Sequence, residues 1–414
     1  MFKTSSTNPC LRFNGFSDEW SEKNILDISS MKARIGWQNL RQDEHMDNGE
    51  YFLITGTDFK NNRIEWNTTK FVSYERYAQD MNIILQDEDI LITKDGSVGK
   101  LAFVGELNGR KATLNNGIFR IRITSNEFPQ FIFYTFLSRR FKYFFYTISG
   151  GSSIVHLYQK DFEKYKLLLP KKQEQQKIAS FLCYIDDWIE NLTQQKLALE
   201  KYKKGLMQKI FSQQIRFKDN NGMDFPKWEI LLLSQIFERK NVRNSDNKIK
   251  IVLTNSAIHG IVNQREFFEK DIANQDNLTN YYIVDVNDFV YNPRISDNAP
   301  YGPFHRNKLT QGIMSPLYIV LKPKQINLDF FEKYFESSFW HKHMFKIANY
   351  GARHDRLSFS QDDFMNMPIP FPHLEEQKKI AKMLSSLDSL ILSKNSQIEK
   401  VQLWKKGLIQ KLFI

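Results

Sequence analysis

Residues 174–211 read EQQKIASFLCYIDDWIENLTQQKLALEKYKKGLMQKIF, and residues 376–413 read EQKKIAKMLSSLDSLILSKNSQIEKVQLWKKGLIQKLF. Without a gap, the two copies agree at about 16 of about 38 positions, including the closing Lys-Lys-Gly-Leu. Both lack proline and carry apolar residues at helical spacing. The chain is therefore predicted to contain a duplicated module with two long helices.

The apolar residues of each copy alternate at spacings of three and four, which is typical of a coiled coil. Lys203 and Lys405 interrupt the pattern at equivalent positions, as do Lys196 and Lys394 in one copy each. Such interruptions often fix register. The alternative is that each helix packs only on its own globular segment, but about 38 residues give roughly 57 Å of helix, longer than a globule of about 160 residues can cover. The predicted seam residues are Ile178, Leu182, Ile185, Ile189, Leu192, Leu199, Leu206 and Ile210 in the first copy, and Ile380, Leu384, Leu387, Ile391, Ile398, Val401, Leu408 and Leu412 in the second.

The composition indicates a folded, basic protein. The 414 residues carry a net charge of +11 with 41% hydrophobic residues, and the pI is near 9.3. A polyanionic partner is the first expectation for such a charge, although a basic protein without such a partner is the alternative. Two cysteines, Cys10 and Cys183, are too few for a disulfide framework and favour a reducing, cytoplasmic location.

No signal peptide is apparent at the N-terminus. The most apolar stretch, residues 131–145, contains Arg139, Arg140 and Lys142, and we therefore exclude it as a membrane span.

A globular segment precedes each long helix. Short β-branched or aromatic runs at 51–55, 83–93, 101–105 and 118–124 predict strands. A helix is predicted at 128–146, with an equivalent at 330–347, and a proline-terminated strand follows in each half (167–170 and 368–370). The openings Leu-Arg-Phe at 11–13 and Ile-Arg-Phe at 215–217 extend the repeat to roughly 200 residues.

The resulting fold class is α+β: two globular α/β domains joined by two long antiparallel coiled-coil helices, with an internal pseudo-twofold repeat. The helices are expected to run antiparallel because the second globule, shorter than the helix, connects the end of one to the start of the other. The expected shape is a dumbbell whose rod spans at most roughly 17 base pairs of B-form DNA. The predicted boundaries are 1–170, 171–213, 214–372 and 373–414.

Three features together resemble the specificity subunit of type I restriction-modification systems. They are the repeat of variable globule and helix, the strand-Pro-x(3)-Glu-Gln-x(2)-Ile-Ala junction at 170–179 with a longer version at 370–381, and the Lys-Lys-Gly-Leu-x-Gln-Lys-x-Phe helix end. The resemblance covers nearly the whole chain. It implies that each globule is a target recognition domain for one half of a split, asymmetric DNA sequence.

The resemblance also implies partners and cofactors. The helices would set the spacing of the half-sites and dock two methyltransferase subunits, and restriction-translocation subunits would join the larger complex. The methyl group would go to adenine N6, S-adenosylmethionine would belong to the methyltransferase, and ATP and Mg²⁺ are expected in partner subunits. This chain would hold no cofactor and would not be catalytic.

Two functions of other classes remain as alternatives: a self-contained nuclease or methyltransferase, and a coiled-coil adaptor that binds only proteins. Activity of the purified chain would reveal the first. DNA binding that weakens steeply with salt would exclude the second.

The sequence offers weak matches to catalytic motifs. Residues 96–101, GSVGKL, are too short for a phosphate-binding loop and lack its Ser or Thr, so a turn between strands is predicted. Residues 291–294, YNPR, have arginine where amino-methyltransferases have a second proline. His341 and His343 lie on different faces of a helix. Asp87, Glu88, Asp89 and Lys94 are interpreted as a solvated turn leading into a strand rather than a nuclease site, because the second half (Asp285, Asp288, Asn292) does not repeat the lysine. We therefore predict no catalytic or metal site.

DNA binding is the function predicted for the loops of the globules, because bases and phosphates require basic, amide and hydroxyl groups. Any single candidate has the alternative of being a solvated loop residue. Residues 292–306 and 351–356 are the strongest groups. The candidates are Lys94, Ser97, Lys100, Asn115, Asn116, Ser152, Ser153 and His156 in the first half, and Asn292, Arg294, Ser296, Asn298, His305, Arg306, Arg353, His354 and Arg356 in the second.

Overall fold

The computed structural model describes residues 9–36, 40–148, 157–162, 164–267, 275–350 and 355–413. It divides into two units, each built around its own core. Unit 1 comprises residues 1–193 and 396–414, and unit 2 comprises 194–395. Packing therefore divides each long helix near its middle, whereas the sequence boundaries kept each helix whole.

The elements of the first globule come before the first long helix, which is given last. They are β1 (Ser21–Asn24), α1 (Ile25–Ile28), β2 (Ser29–Lys32), β3 (Tyr51–Ile54), β4 (Phe59–Lys60), β5 (Arg63–Ile64), β6 (Lys70–Val72), α2 (Tyr74–Ala78), β7 (Ile90–Thr93), β8 (Leu101–Phe103), β9 (Lys111–Leu114), β10 (Ile118–Ile123), α3 (Pro129–Phe136), α4 (Arg139–Ile148), α5 (Gln159–Phe162), β11 (Lys166–Leu169) and the long helix α6 (Lys172–Phe211).

The elements of unit 2 follow in a corresponding order. They are β12 (Glu229–Leu232), α7 (Leu233–Ile236), β13 (Phe237–Arg239), β14 (Leu253–Ser256), β15 (Gly260–Asn263), α8 (Gln264–Phe267), β16 (Tyr282–Val284), β17 (Phe289–Tyr291), β18 (Phe304–Arg306), β19 (Gly312–Met314), β20 (Ile319–Pro323), α9 (Leu328–Glu336), α10 (His341–Ile347), β21 (Asn349–Tyr350), β22 (Leu357–Ser358), α11 (Gln361–Met365), β23 (Pro368–Phe371) and the long helix α12 (Leu374–Leu412).

The two units share the topology of their four-stranded sheet and of the strand pair that closes each globule, and they differ in the smaller sheets. A four-stranded antiparallel sheet has the order β2-β10-β7-β8 in unit 1 and β13-β20-β17-β18 in unit 2. The first strand of each globule pairs with its last, β1 with β11 and β12 with β23. One inner strand of the four-stranded sheet is β7 in unit 1 and β17 in unit 2, and all of its residues are buried. A strand that is buried on both faces is expected to be an almost continuous apolar run. The predicted α+β repeat is confirmed.

Three predicted elements, one strand and two helices, differ from the structure. The run at 83–93 is a strand only from Ile90. The single helix predicted after the strands is a pair of helices in each unit, α3–α4 and α9–α10. Serines occupy both breaks: Ser138 Oγ accepts from the amide of Phe141, and Ser337 Oγ donates to the carbonyl of Tyr334. These local hydrogen bonds compete with a continuous helix.

An ion pair joins the start of each long helix to the segment that opens its unit. Arg12 contacts Glu174 through two hydrogen bonds of 2.7 Å, and Arg216 contacts Glu376 at 3.1 and 2.6 Å. Both glutamates are buried. The hydrogen bond to the carboxylate is the main cause of a raised pKa in each arginine. The repeated Arg and Glu residues are therefore partners.

A second carboxylate joins each long helix to the globule and to the other long helix. In unit 1, Asp186 on α6 accepts from the Tyr134 hydroxyl at 2.6 Å and from Lys405 on α12. In unit 2, Asp388 on α12 accepts from Lys203 on α6 at 2.5 Å and forms an ion pair with Lys333 on α9 at 2.6 Å. Lys203 and Lys405, which interrupt the apolar seam at equivalent positions, are thus partners of the repeated aspartates.

The direction of the helices follows from contacts inside unit 2. Lys196 donates to Asn395 at 2.9 Å, and Lys203 meets Asp388 two turns further along α6. Because α12 moves back by the same distance, the helices are antiparallel there, as expected.

The predicted seam residues are all buried or half-buried. In unit 1, Ile178 and Leu182 belong to one core with Phe131 of α3 and with Leu408 of α12. Each half of a long helix therefore packs on the globule of its unit and also on the other long helix. The coiled-coil prediction and its alternative, packing of a long helix on a globule, each describe part of this packing.

We predict that Asp388→Asn lowers the free energy of unfolding by about 2 kcal/mol, because Lys203 and Lys333 lose a charged acceptor. Urea denaturation of the full chain measures the change. Glu375→Gln is the matched control, since the Glu375–Lys378 pair is more than half exposed and its loss should leave stability almost unchanged. Equal effects of the two variants would contradict the prediction.

The contacts of Asp388 with Lys203 and Lys333 also predict how the stability of the chain depends on pH. Burial alone would raise the pKa of Asp388, but the bonds from Lys203 and Lys333 outweigh it and hold the pKa below its usual value of 3.8. A depressed carboxyl pKa contributes stability above the unfolded value and loses it as the pH falls through the folded value. The stability difference between wild type and Asp388→Asn should therefore shrink below pH 3.8.

Candidate nucleic-acid interface

The loop that joins β17 to β18 in unit 2 forms one wall of a polar cleft of about 360 Å³. Four predicted DNA-binding residues line it: Asn292, Arg294, Ser296 and Arg356. Residues that the sequence did not single out complete the lining, among them Thr254, Asn255, Ser256, Gln264, Ser315 and Tyr318. The structure therefore brings together most of the described candidates of this half.

Backbone contacts fix the shape of this loop. The amide of Asn292 donates to the carbonyl of Pro303 at 3.0 Å, and the amide of Leu357 donates to Pro293 at 3.0 Å. Arg294 and Arg356 face each other in an isolated antiparallel bridge. Pairing of two segments that are distant in the sequence therefore places Arg356 beside Arg294, so both residues line one cleft.

Asn255 on β14 is the buried hydrogen-bonding centre behind the cleft. Its amide nitrogen donates to the carbonyls of Val290 and Pro303 at 2.8 and 3.1 Å. Its side-chain oxygen therefore accepts from Nδ1 of His305, 2.7 Å away. The amide nitrogen of Asn292 donates in turn to the backbone oxygen of Asn255 at 3.2 Å. The sequence alone does not indicate this role of Asn255, because the residue belongs to no recognisable motif.

Asn292 and His305 consequently have structural contacts of their own. Asn292 is buried, and its side-chain oxygen accepts from the amide of Arg294 at 3.0 Å. Burial lowers the pKa of His305 despite the nearby Glu336 and Glu332, which favours the neutral ring. These two residues position the loop and do not present a charge to a ligand.

Arg294 is the most accessible cation of the cleft. Its guanidinium lies 3.4 Å from Asp355, and the side chains are 59% and 42% exposed. An ion pair so exposed contributes little, so Arg294 can exchange this partner for a phosphate or a base edge. Arg356 is half-buried beside it. Two arginines, hydroxyls and amides in one cleft suit hydrogen bonding to nucleic acid.

Three described candidates of this half lie outside the lining: His305, Arg306 and Asn298. Arg306 points to α9, where it contacts Asp329 at 2.8 Å and Glu332 at 3.6 Å with 12% of its side chain exposed. Asn298 is exposed in the turn between the bridged residues Ser296 and Ala299. The structure does not bring Arg306 to the candidate surface.

The equivalent loop of unit 1 joins β7 to β8, and it contains Lys94, Ser97 and Lys100. The Thr93 hydroxyl donates to the carbonyl of Ser97 at 2.6 Å and accepts from the amide of Lys100 at 2.9 Å. Ser97 and Lys100 are exposed. Because β8 begins directly after Lys100, the turn interpretation of residues 96–101 is confirmed.

Asn115 and Asn116 lie next to this loop. The amide of Lys94 donates to the carbonyl of Gly117 at 2.8 Å, which joins the two segments, and both asparagines are half-buried. The Lys94 ammonium lies 5.5 Å from the ring centre of Phe119. Unit 1 thus brings its described candidates to one end of β7. Ser152, Ser153, His156, Arg353 and His354 lie outside the described residues.

The acidic groups considered for catalysis have structural partners. Asp89 is buried and accepts two hydrogen bonds of 2.7 Å from Arg122, so it is not in a solvated turn as predicted. Asp288, its counterpart, contacts Lys240 at 2.7 Å. His343 contacts the carbonyl of Asp363. Across the described ranges, no group of three His, Cys, Asp or Glu side chains could hold a metal ion.

We predict that Gly302→Ala disrupts the cleft. Gly302 has φ +79°, and an added Cβ would lie 2.0 Å from the carbonyl oxygen of Asn292. The loop must move, so the free energy of unfolding should fall by about 2 kcal/mol or more, and duplex DNA binding should weaken. Thermal unfolding and DNA titration measure these effects.

Gly222→Ala is the matched control in unit 2, because Gly222 has φ +80° with open space around the added Cβ. It should cost only about 1 kcal/mol of backbone strain and leave DNA binding unchanged. Equal losses in the two variants would mean that Gly302 is needed for its φ alone.

Comparisons with known proteins also divide the chain into two similar halves. The family model described as the type I restriction modification DNA specificity domain matches residues 17–201 and again 227–403. A type I restriction enzyme specificity subunit from Methanocaldococcus jannaschii, MjaVIII, is 25% identical over 435 residues, covering 95% of this chain and 96% of its own. The putative MjaX specificity subunit of the same organism is 26% identical over 347 residues, covering 78% and 77%.

Two solved structures share the fold. The S subunit of a type I restriction-modification system from M. genitalium has a TM-score of 0.55 and 15% identity over 98% of this chain and 99% of its own. A structure described in terms of complex assembly and conformational transition of the type I system has a TM-score of 0.54 and 13% identity, covering 94% and 96%. Among the described residues, no helix is both long enough and apolar enough to cross a membrane.

Proposed function

The chain belongs to the family of type I restriction-modification DNA specificity proteins, because the family model matches two segments that make up most of its length, and on this premise we propose how it recognises DNA. It is a specificity subunit, and catalysis belongs to other subunits of the complex. Each unit reads one half of a split, asymmetric duplex target. The β7–β8 and β17–β18 loops supply the contacts, together with residues that the sheets bring beside them.

One observation carries this proposal. The two loops occupy the same position in the same sheet topology, yet they present different side chains: Ser97 and Lys100 in unit 1, Arg294 and Ser296 in unit 2. Direct readout depends on the identity of such side chains, whereas the scaffold only positions them. Two unlike loops on one scaffold therefore suit a target with two unrelated halves.

The partners are two methyltransferase subunits, with restriction-translocation subunits in the full complex. S-adenosylmethionine is held by the methyltransferase, and ATP and Mg²⁺ by partner subunits, while this chain supplies position and sequence choice. The methyltransferase flips the target adenine out of the stack and methylates N6. The complex works in the cytoplasm, where the DNA is.

A coiled-coil adaptor that binds only proteins is the second candidate, favoured by the length of α6 and α12. It predicts that a stable complex with the methyltransferase forms but leaves the DNA unmodified. The exposed Arg294 beside Arg356 argues for DNA instead.

We predict that Arg294→Gln, co-expressed with the methyltransferase, changes the preferred bases in only one half of the methylated motif. A lost arginine contact to a base weakens discrimination by about 1–3 kcal/mol. Mapping N6-methyladenine across the host DNA at single-base resolution measures the motif. Arg306→Gln is the control, because its contacts to Asp329 and Glu332 predict lower stability with the same motif.

A change in both halves, or in neither, would contradict the assignment of Arg294. Methylation by the chain alone would reveal an unrecognised active site. No methylation by a stable complex would support the adaptor.

We further propose that the long helices set the gap between the two half-sites. Deleting residues 190–196 together with 395–401, segments opposite each other in the register of the Lys196–Asn395 pair, removes roughly 10 Å from each helix. The gap should shorten by about three base pairs while both half-site sequences stay the same, which methylation mapping measures. Either deletion alone would misalign the seam and should prevent assembly. A changed half-site sequence would rule out a simple spacer.

A further inference from the structure

A groove in unit 1 extends from the recognition loop to the end of α12. Two adjoining cavities, of about 370 and 540 Å³, form it and share Asn61, Asn62, Leu137 and Lys142 in their walls. The smaller one reaches Gly99 and Lys100 of the β7–β8 loop, and the larger one reaches Lys405 and Lys406. We name this continuous surface the unit 1 groove.

The unit 1 groove is strongly basic. Arg139, Lys142 and Lys406 line it as exposed side chains, with Lys100 at the loop end. Its one carboxylate, Asp186, is already bonded to Tyr134 and Lys405. Within the described part of the chain, no carboxylate pairs with Arg139, Lys142 or Lys406. These three cations can therefore bind an external anion without breaking an internal contact.

The walls of the groove add to its suitability for phosphate. Arg139 is the first residue of α4, a helix of 10 residues, so the groove lies beside the helix end that carries a partial positive charge. Opposite, Asn61 and Asn62 form the β4–β5 turn, both with positive φ, and the carbonyl of Asn62 is held by the amide of Phe103. The turn is therefore anchored, and it leaves the Asn61 amide exposed beside the cations.

The equivalent cleft of unit 2 has the opposite character. It is lined by Lys203 and Lys204 at the repeated Lys-Lys-Gly, and by three carboxylates, Glu200, Glu336 and Asp388. Lys203 is already paired with Glu336 and Asp388. The repeat therefore kept the cleft and its lysines but gave the two copies different charge.

We propose that the unit 1 groove binds the phosphate backbone of duplex DNA that adjoins the half-site read by unit 1, without reading its sequence. This inference rests on the proposed function of the chain. Its new content is a phosphate site that extends from the recognition loop to the end of α12 and has no basic equivalent in the described part of unit 2. The DNA would therefore be held over a longer tract on the unit 1 side than on the unit 2 side.

Continuity favours DNA over an acidic segment of a partner protein. The groove begins at Lys100, in the loop proposed to face the duplex, and its cations follow one another along its length instead of surrounding a closed pocket. A backbone with regularly spaced charges fits such a row. An acidic peptide would not need the groove to open at the recognition loop.

The test uses the full chain in complex with its methyltransferase and a duplex carrying the motif established by methylation mapping. Lys142→Gln combined with Lys406→Gln removes two phosphate contacts. The slope of log affinity against log salt should become less steep by about 1.8, because each contact contributes about 0.9. Affinity should fall at low salt, while the methylated motif stays the same.

Lys204→Gln is the matched control, since Lys204 stands at the position of Lys406 in the repeat but lies among carboxylates. It should leave the salt slope unchanged. Footprinting adds a second readout: protection next to the unit 1 half-site should shorten in the double variant only. Equal thermal stability of the variants excludes misfolding as a cause.

Each other outcome overturns the inference. An unchanged slope with specific DNA binding intact would reject the groove and leave the proposed function standing. An unchanged slope with loss of methyltransferase assembly would assign the groove to an acidic protein segment. Wild-type complex without preference for its motif would reject the proposed function itself.

Discussion

One carboxylate on each long helix is the point where three elements of a unit meet. Asp186 accepts from Tyr134 of the globule and Lys405 of the facing helix, and Asp388 accepts from Lys203 and forms an ion pair with Lys333. A half-buried anion without partners is strongly unfavourable, so only the register that brings both donors to the carboxylate is acceptable. The apolar seam alone would tolerate a slip by one heptad, and the carboxylate does not.

The repeat made most of this architecture predictable from the sequence. Two helices with one apolar spacing and nearly identical ends indicated the duplication, and β-branched runs indicated the strands. The pairings were not predictable, because periodicity tells which face is apolar and not which residue lies opposite. The same limit explains why the helix break at Ser138 was not predicted, since a side-chain hydrogen bond interrupts the helix there. It also explains the burial of Asp89, which depends on a hydrogen bond from Arg122 on β10, a strand that is distant in the sequence.

The candidate surface shows a comparable division. Arg294 and Ser296 follow a buried strand directly, and the cleft contains them, as expected of a loop at a strand end. Residues on β18 were harder to place because neighbours on a strand point to opposite faces. His305 faces Asn255, whereas Arg306 reaches α9. Asn255 itself had no sequence signal, since its role depends on three backbone segments that only the fold brings together.

The two units share the same four-stranded sheet, but their recognition loops are held by different contacts. The turn before the central strand is the same in both: Asp89 accepts from the amide of Gln86 at 2.7 Å, and Asp288 from that of Asp285 at 2.8 Å. The recognition loop is held by the Thr93 hydroxyl in one unit and by the Asn255 amide in the other. Because these supports bind backbone carbonyls and not the exposed side chains of the loops, one loop can change its exposed side chains without disturbing the sheet or the helices. A duplicated scaffold can thus read two unrelated sequences.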